Sequence, residues 1–582
     1  MALRYLLRVS ARAASGAADA DGAPARAGLS RLHADPSVTL YCNDDRCWAR
    51  LADGRGVIVG HIFRKGCFAR YPAIANGEPI AGDTDAPTIF AALWGAFVAV
   101  IRTGNGVTVA RDPSGLLPAY YARHGSDWYF ASDAASLIDA GIIAPAVDWA
   151  QVGRALYANE LPEERTALCG VHQLLPGMAI ECTDGLPGPA LAWTPWAHVK
   201  SRPPDAEQLR RTIIACLHAW GTRFDSALIG VSGGLDSSIV ATGLYRSTDL
   251  HGVTISTRDA QGDETIYARA LCDRLDLSLA EEYYALDRVD IERSSYAHCP
   301  RPGGRAQLQA YDAAMREVAH RLGAEAFFTG VGGDNIFQFT KSARPLVDRY
   351  LAEGISPRLF STLLDICRVT GAPAFRVIRE ALRVPRAGGQ KYFWMPDERF
   401  LSVDAIAAAA STLLAHPWLD GPADSLPGKA AHIAFLIRTQ QYMDVHDRRW
   451  PTSTLHPLLS LPIIEACLAM PSWAACAGGV DRAYARRAFA ADLSGETLMR
   501  TVKNGPDGFA LSIIRRHLGR IRERLLDGEL ARRGIADREK LEMALREQSL
   551  AKGDDYPRIL LLLDTEAWAE GWNATPSIAR QA

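Results

Sequence analysis

Two different hydrophobic patterns divide the chain near residue 200. Before that point, short apolar runs alternate with polar positions and are broken by Gly, Pro and Asp, as in GVIVGHIF and VTVARDPSGLLPAYYARHGSDWYFASD. Strands that lie this close together and are joined by turn residues predict antiparallel sheets. LRYLLRVS predicts the first strand, and the Ala- and Gly-rich residues 11–28 predict a loop.

The pattern changes after residue 205. SALIGVSGG and HGVTIST are apolar, β-branched runs without alternation, which is typical of buried parallel strands. Helical patterns such as DETIYARALCDRL separate such runs and predict a doubly wound α/β sheet. The chain is mostly helical after about residue 345, and the proline-containing segment 193–208 predicts a linker. We therefore predict an α/β protein with an N-terminal antiparallel β-sandwich domain, residues 1–200, and a C-terminal α/β domain with a helical extension, residues 205–582.

Composition narrows the class of protein. A chain of 582 residues is too long for one core. A net charge of −2, with no block of Lys or Arg, argues against a nucleic-acid partner. The longest uncharged apolar run, at 89–101, is too short to span a bilayer. Arg8 and Arg12 interrupt the N-terminal apolar stretch, which argues against a signal peptide. The 11 cysteines are scattered without a C-x-x-C pair, so we expect a cytoplasmic protein without disulfides or zinc.

The stretch GVSGGLDSS, residues 230–238, carries the strongest chemical signal. It joins a predicted strand to a predicted helix, where free backbone N–H groups and the helix dipole favour an anion. Gly233 and Gly234 allow the backbone to approach that anion closely. Hydroxyl donors follow at Ser232, Ser237 and Ser238. Asp236 suits a magnesium ion placed between the loop and a phosphate.

Two other interpretations of this stretch are weaker. GVSGG fits the turn of a serine hydrolase, with Ser232 as nucleophile, but that chemistry leaves Asp236 and the two serines behind it unexplained. A Walker A loop is excluded, because G-K-[ST] occurs nowhere in the chain. A tight strand–helix turn with incidental serines is the remaining structural alternative.

SGGLDSS resembles the PP-loop of the ATP pyrophosphatases, which cleave ATP to AMP and pyrophosphate while activating a carboxylate as its adenylate. The resemblance implies that ATP is bound by Val231, Ser232, Gly233, Gly234, Leu235, Asp236, Ser237 and Ser238. EAFFTGVGGDNIF, residues 325–337, resembles the G-x-G-x-D loop of asparagine synthetases. It implies that Asp334 and Asp236 hold Mg²⁺ together on the triphosphate.

Further segments extend the resemblance along the chain. LHGVTIS is similar to a strand from which Ile255 would touch adenine, with Thr329 and Gly330 closing the other side of the base. RTVKNGPDGF resembles a segment whose lysine, here Lys503, neutralises the adenylate and pyrophosphate, although an ordinary surface lysine is the alternative. The implied catalytic set is Lys503, Asp236 and Asp334.

The N-terminal half resembles the glutaminase domain of asparagine synthetase B, through GAFVAVI and ARDPSGLLPAYYARHGSDWYFASD. In working glutaminases a cysteine directly follows the initiator Met and attacks glutamine. Here the second residue is Ala2 and the nearest cysteine is Cys42. We therefore expect this domain to be a scaffold without glutaminase activity.

Two branches of the family lack that cysteine, the β-lactam synthetases and the lasso-peptide cyclases. The variable position of G-x-G-x-D is usually Glu in asparagine synthetases and Tyr in β-lactam synthetases, but is Val331 here. A peptide α-amine, with a pKa near 8, needs little help from a base. The chain thus most resembles a lasso-type macrolactam synthetase, whose partners would be a precursor peptide and a leader-peptide protease. A β-lactam-type synthetase, an ammonia-dependent asparagine synthetase relative and a non-enzymatic scaffold remain alternatives.

Overall fold

The computed structural model describes residues 2–10, 28–66, 74, 79–80, 85–104, 106–185, 188–257, 264–384, 392–500, 506–546, 550 and 554–574. The predicted loop at 11–28 falls almost wholly outside these residues.

Two sheets form the N-terminal part of the protein. Their strands are β1 (Tyr5–Ser10), β2 (Ser30–Ala34), β3 (Val38–Cys42), β4 (Trp48–Leu51), β5 (Gly56–Arg64), β6 (Pro79–Ile80), β7 (Leu93–Thr103), β8 (Gly106–Arg111), β9 (Tyr120–His124), β10 (Asp127–Ala131), β11 (His172–Gln173), β12 (Met178–Cys182) and β13 (Ala190–Leu191). One sheet has the order β11-β9-β10-β1-β3-β2 and the other β13-β12-β8-β7-β5-β4-β6.

The pairing in these sheets confirms the antiparallel prediction. Every described pair is antiparallel except β4 with β6. The predicted first strand is β1, which lies inside its sheet between β10 and β3. It is buried along almost its whole length, because apolar side chains occupy both of its faces.

The C-terminal part contains one parallel sheet. Its strands are β14 (Ser226–Gly230), β15 (Asp249–Ser256), β16 (Leu279–Tyr283), β17 (Ala326–Phe328) and β18 (Ser453–Leu455), in the order β16-β15-β14-β17-β18. All neighbouring pairs are parallel, which confirms the predicted doubly wound α/β class. β18 enters the sheet from the region after residue 345, which the sequence predicts to be mostly helical.

Helices occupy most of the remaining described chain. They are α1 (Ala86–Ala92), α2 (Ala134–Asp139), α3 (Trp149–Ala158), α4 (Trp196–Val199), α5 (Ala206–Gly221), α6 (Leu235–Leu244), α7 (Thr265–Leu275), α8 (Gln307–Leu322), α9 (Gly333–Ile336), α10 (Arg344–Glu353), α11 (Pro357–Thr370), α12 (Ala374–Arg383), α13 (Val403–Ala410), α14 (Pro427–Thr439), α15 (Leu461–Ala469), α16 (Ala483–Ala488), α17 (Gly495–Met499), α18 (Asp507–Asp527), α19 (Glu529–Arg532), α20 (Arg538–Ala544) and α21 (Tyr556–Ala574).

The segment 193–208 differs from the predicted linker. It contains the short helix α4, and both Trp193 and Trp196 are buried. The Trp196 indole N–H donates to the Trp418 carbonyl at 2.8 Å, so the segment is fastened to the C-terminal part. The sequence does not reveal this packing role, because most residues of the segment are polar or proline and only the two buried tryptophans indicate it.

Side chains also cross between the two parts of the protein. The Arg154 guanidinium on α3 donates to the carbonyls of Ala409, Thr412 and Leu413 at 2.5–3.0 Å. Because these contacts are buried or half-buried, they are screened from solvent much less than surface ion pairs are. The large hydrophobic cluster likewise includes residues of both parts. The N-terminal part is therefore packed against the C-terminal part, and the exact boundary at 200–205 stays a prediction.

A second, smaller cluster lies under α10, α11 and α12. Seven buried residues form it: Ala343, Leu346, Val347, Ile366, Val377, Ala381 and Cys476. It is separate from the large cluster, so these helices are held by a small core of their own.

None of the described helices is long and apolar enough to cross a membrane by itself. One bent pair, α15 with the 3₁₀ segment Ser472–Gly479, meets the length and composition requirement across a 71° bend.

Candidate active site

A cavity of about 630 Å³ opens at the carboxyl edge of the parallel sheet. The chain leaves the central strand β14 toward β15 on one side, and β17 lies on the other side of β14. The loops after β14 and β17 therefore leave the sheet side by side, at the point where the strand order reverses. Ligands of open α/β sheets bind at such switch points.

Most of the predicted ATP-binding residues line this cavity. They are Val231, Ser232, Gly234, Leu235, Asp236, Ser237, Ile255, Thr329 and Gly330, together with Asp334. Gly233 and Ser238 are not on the wall: Ser238 is fully buried and its hydroxyl donates to the Gly234 carbonyl at 2.8 Å. Lys503 lies outside the described residues.

The first loop presents donors at the start of α6. The helix begins at Leu235 with Gly234 as its N-cap and has no side-chain cap hydrogen bond. The N-terminus of a helix favours an anion, because its first backbone N–H groups point outward along the axis. The Ser232 and Ser237 hydroxyls stand 3.3 Å apart at the same end. Gly233 has φ +63°, and a Cβ there would lie 2.0 Å from the Tyr267 side chain, which explains the glycine at this position.

The second loop approaches the first so closely that side chains are excluded. A Cβ at Gly333 would lie 2.3 Å from Cγ of Asp236. A Cβ at Gly330 would lie 2.8 Å from the Ser237 backbone nitrogen. The glycines of the predicted G-x-G-x-D loop thus let Asp236 and Asp334 occupy one site.

Both carboxylates contact the same cation, the Arg482 guanidinium. Arg482 Nη1 donates to Asp236 Oδ2 at 2.8 Å and to Asp334 Oδ1 at 2.6 Å, while Nε donates to Asp481 Oδ1 at 2.7 Å. Burial alone would lower the pKa of Arg482, but Asp236, Asp334 and Asp481 raise it. Two carboxylates from separate loops therefore converge on a single positive charge.

This arrangement fits the magnesium ion that the sequence resemblance implies. Mg²⁺ prefers oxygen ligands and is commonly held by one or two carboxylates together with substrate phosphates. Within the described residues, no group of three or more His, Cys, Asp or Glu could hold a metal by itself. Asp236 and Asp334 would hold the ion together with the phosphates, and their convergence on Arg482 shows that they can share a cation.

Apolar and aromatic side chains line another side of the cavity. Ile255, Tyr284, Tyr311 and Met315 lie there, at the carboxyl ends of β15 and β16 and on α8. Such a surface suits a nucleobase, which is bound by apolar contact and stacking. The position of Ile255 is therefore compatible with the adenine contact that the sequence predicts.

Thr329 connects the second loop to β18. Its hydroxyl accepts from the Val331 N–H at 3.2 Å, and it lies 2.7 Å from Nδ1 of His456. Burial lowers the pKa of His456 to about 3, so the imidazole is neutral at physiological pH and can accept from the Thr329 hydroxyl. These contacts hold Val331 at the cavity wall.

Three arginines that line the cavity, Arg305, Arg482 and Arg500, are not predicted from the sequence. Arg482 bridges the carboxylates, and Arg500 donates to the Ser232 carbonyl at 2.8 Å and to Glu264. Arg500 stands three residues before Lys503 in RTVK, so its place in that segment could have marked it as a site residue. Arg482, in GGVDRAYARR, has only its place at the start of a helix as a signal, because its partners are 148 and 246 residues away.

Comparisons with known protein families agree with this geometry. Residues 227–570, more than half of the chain, match the family model described as asparagine synthase. Residues 86–187 match the model described as a glutamine amidotransferase domain. A search among curated proteins gave no match. The chain therefore belongs to the asparagine synthase family and is an ATP-dependent, AMP-forming carbon–nitrogen ligase.

Proposed function

We propose that this ligase is a macrolactam synthetase of the lasso-peptide type. It adenylates an Asp or Glu side chain of a ribosomal precursor peptide, and the N-terminal amine of the same peptide then displaces AMP. The observation that carries the proposal is Val331, an apolar side chain at the wall of the cavity, in the loop that also bears Asp334.

Val331 bears on the nucleophile that the site can use. Its side chain is 39% exposed toward the cavity and cannot take up a proton. A weakly acidic amide nucleophile would need a base at the site, whereas a peptide α-amine with a pKa near 8 has a usable neutral fraction at neutral pH. An apolar residue at this position therefore favours an amine nucleophile that is already unprotonated and needs no base from the protein.

Two buried cysteines of the N-terminal part, Cys42 and Cys47, do not favour glutamine as nitrogen source. Burial raises the pKa of each thiol to about 12. The thiolate is the nucleophilic form, so neither side chain suits attack on glutamine. The Ala2 backbone N–H donates to the Trp450 carbonyl at 3.2 Å, which ties this end of β1 to the C-terminal part.

The reaction consists of two displacements. A carboxylate oxygen of the peptide attacks the α-phosphorus of ATP and pyrophosphate leaves; the amine then attacks the acyl carbon, loses a proton, and AMP leaves. Ser232, Ser237 and the first N–H groups of α6 are placed to bind phosphate oxygens. Mg²⁺ held by Asp236 and Asp334 would neutralise polyphosphate charge. Holding amine and adenylate together contributes up to about 7–11 kcal/mol to the second step.

The test uses candidate precursor peptides, chosen from any short open reading frames found beside the gene, synthesised with free N-terminal amines and incubated with the protein, ATP and Mg²⁺. We expect AMP, pyrophosphate and a product whose mass is that of the peptide minus one water. Acetylation of the N-terminal amine should stop ring formation, since it removes the nucleophile. Replacement of the reacting Asp or Glu by Asn or Gln should stop ring formation and pyrophosphate release together, because the amide cannot be adenylated in this way.

Free aspartate with ammonium is the competing substrate pair. If it yields asparagine at a rate that no peptide approaches, the macrolactam proposal is wrong and the protein is an ammonia-dependent asparagine synthetase. Release of ADP and orthophosphate in place of AMP and pyrophosphate would contradict the assignment of the first loop as well.

A further inference from the structure

One carboxylate of the glutaminase-like part reaches the cavity of the ligase part. Glu160 lies two residues beyond the end of α3. Its Oε1 accepts from the Tyr442 hydroxyl at 2.6 Å and from Arg305 Nη2 at 3.1 Å. Its Oε2 accepts from Arg438 Nη1 at 3.3 Å. All three donors belong to the C-terminal part.

The backbone that presents Glu160 is strained. Asn159 and Glu160 have φ of +50° and +67°, a left-handed conformation that non-glycine residues rarely adopt. Surrounding contacts impose it: the Trp394 indole N–H donates to the Ala158 carbonyl at 2.8 Å, and the Asn159 side chain donates to the Met395 carbonyl at 3.2 Å. Strain of this kind is concentrated at functional sites.

Two of the three donors, Arg305 and Tyr442, line the nucleotide cavity, whereas Glu160 does not. Arg305 lies in the loop before α8, where its backbone N–H is held by the Ser295 hydroxyl at 2.9 Å. Its side chain is 41% exposed and lines the cavity. Glu160 thus contacts Arg305 without lining the cavity itself.

The charges leave this part of the cavity cationic. Burial would lower the pKa of Arg305, but Tyr442 and Glu160 raise it, so the guanidinium stays charged. Burial also raises the pKa of Tyr442, so its hydroxyl stays protonated and donates. One carboxylate, Glu160, is shared by the two cations Arg305 and Arg438, so these three side chains together carry one net positive charge.

We propose that the two parts of the protein jointly build the subsite for the carboxylate substrate. Arg305 binds a carboxylate of that substrate, and Glu160 is the positioning residue that aims Arg305 and Tyr442. Guanidinium groups bind carboxylates in directed, often bidentate pairs, so their orientation matters. The glutaminase-like part then has a use that does not depend on glutamine. The proposal rests on the ligase activity and holds for a peptide or for free aspartate as substrate.

The test compares Glu160→Gln and Arg305→Gln with the matched control Glu164→Gln. Glu164 accepts from the Tyr121 hydroxyl at 2.6 Å within the N-terminal part, so its variant loses a similar bond away from the cavity. Pyrophosphate release is measured against the concentration of the carboxylate substrate and, separately, of ATP. We expect KM for the carboxylate substrate to rise at least about tenfold in the first two variants, with KM for ATP nearly unchanged. The double variant should resemble Arg305→Gln, because both residues act through one guanidinium.

Three results would overturn the proposal. Glu160→Gln and Glu164→Gln could have the same KM values; KM for ATP could rise in parallel with KM for the carboxylate substrate; or Arg305→Gln could leave KM for the carboxylate substrate unchanged. If Glu160→Gln does not fold, Arg305→Gln carries the same expectation, since Glu160 keeps Arg438 and Tyr442 as partners. Both a peptide and aspartate with ammonium are used, so failure of the macrolactam proposal leaves this test intact.

Discussion

At the scale of single residues, the site depends on two carboxylates brought to one point. Asp236 and Asp334 come from different loops, yet both bond to one nitrogen of Arg482. Such convergence of buried and half-buried charge is rarely a requirement of folding, since each carboxylate costs desolvation free energy. It is explained when the pair serves a polyphosphate substrate.

We expect Asp236→Asn and Asp334→Asn each to lower kcat by more than about 100-fold, or 2.7 kcal/mol. Each change removes one negative charge from the place where a cation is held. The control is Asp249→Asn, at the first residue of β15 and therefore at the opposite edge of the parallel sheet. Pyrophosphate release measures the rate, and near-normal turnover by either site variant would remove the carboxylate pair from the mechanism.

Val331→Ala should change kcat little. The Val331 backbone N–H donates to the Thr329 hydroxyl oxygen, and alanine at this position keeps that hydrogen bond. The side chain is assigned no proton transfer, so only apolar contact is lost. Steady-state kinetics with the linear peptide substrate check this. A fall in kcat of more than about 100-fold, near 2.7 kcal/mol, would show that the side chain orients the reacting groups.

Some residues of this site can be predicted from the sequence around them, whereas others depend on partners far along the chain. Asp236 and Asp334 are predictable, because each stands in a short glycine-rich segment directly after an apolar strand. Arg482 and Glu160 are not, since each acts on partners more than 100 residues away and stands in an unremarkable sequence. Ser238 belongs to the motif, but its hydroxyl donates to the carbonyl of Gly234, the N-cap of α6, a contact that the motif alone does not reveal.

At the scale of elements, the spacing between the two loops is set by glycine. Gly333→Ala should lower activity by more than about 100-fold, because its Cβ would overlap the Asp236 side chain at 2.3 Å and move that carboxylate. Gly519→Ala is the matched control: it lies inside α18 with open space around the added methyl group, and alanine should stabilise the helix by up to about 1 kcal/mol. Steady-state kinetics and thermal unfolding are measured for both variants. A fully active Gly333→Ala variant would mean that the two loops can move apart without loss of activity.

Helix α21 carries a buried carboxylate whose effect on stability depends on pH. Burial raises the pKa of Asp564 to about 6, although Ser294 and Ser295 donate hydrogen bonds to it. Between about pH 4 and pH 6 the unfolded chain ionises Asp564 while the folded protein keeps it protonated, so rising pH favours unfolding.

Asp564→Asn removes this titration. We therefore expect the stability of the variant, relative to the unsubstituted protein, to improve by up to about 3 kcal/mol between pH 4 and pH 7. Denaturant unfolding at several pH values measures the difference. A difference that stays constant over this interval would show that Asp564 is ionised in the folded protein throughout.

Element types are predictable from continuous apolar runs, as in β14 and β15, and from a regular helical period, as in α7 and α8. The segment 193–208 is not, because Trp193 and Trp196 take their structural meaning from Trp418, on a distant part of the chain. The strand β18 is only three residues long, and its pairing with β17 is a long-range contact that no local pattern encodes.

At the scale of the whole molecule, two parts of different fold share one large hydrophobic cluster. We expect calorimetry to show both parts unfolding in one transition. Arg154→Ala should lower that transition temperature, because three carbonyls of the C-terminal part lose their donor. The control is Arg165→Ala, whose guanidinium is largely exposed and makes a 3.5 Å ion pair. Two well-separated transitions, with only one shifted by Arg154→Ala, would contradict shared unfolding.

The division of the chain into an antiparallel and a parallel part is predictable from the change in hydrophobic pattern near residue 200. The way these parts meet is not, because the contacts pair single side chains such as Arg154 and Glu160 with backbone carbonyls and arginines far along the chain. Periodicity reports which face of an element is buried, but not which distant element covers it.

We expect the small cluster beneath α10, α11 and α12 to have a lower local stability than the main core. Its seven buried residues are separate from that core, and Asp348 of α10 adds two buried hydrogen bonds, from the Gly428 N–H and the Ser472 hydroxyl. Such a unit can exchange its amide hydrogens by partial opening while the rest of the chain stays native. A calorimeter then reports the strength of the large core, whereas a protease or deuterated water samples the weaker unit first.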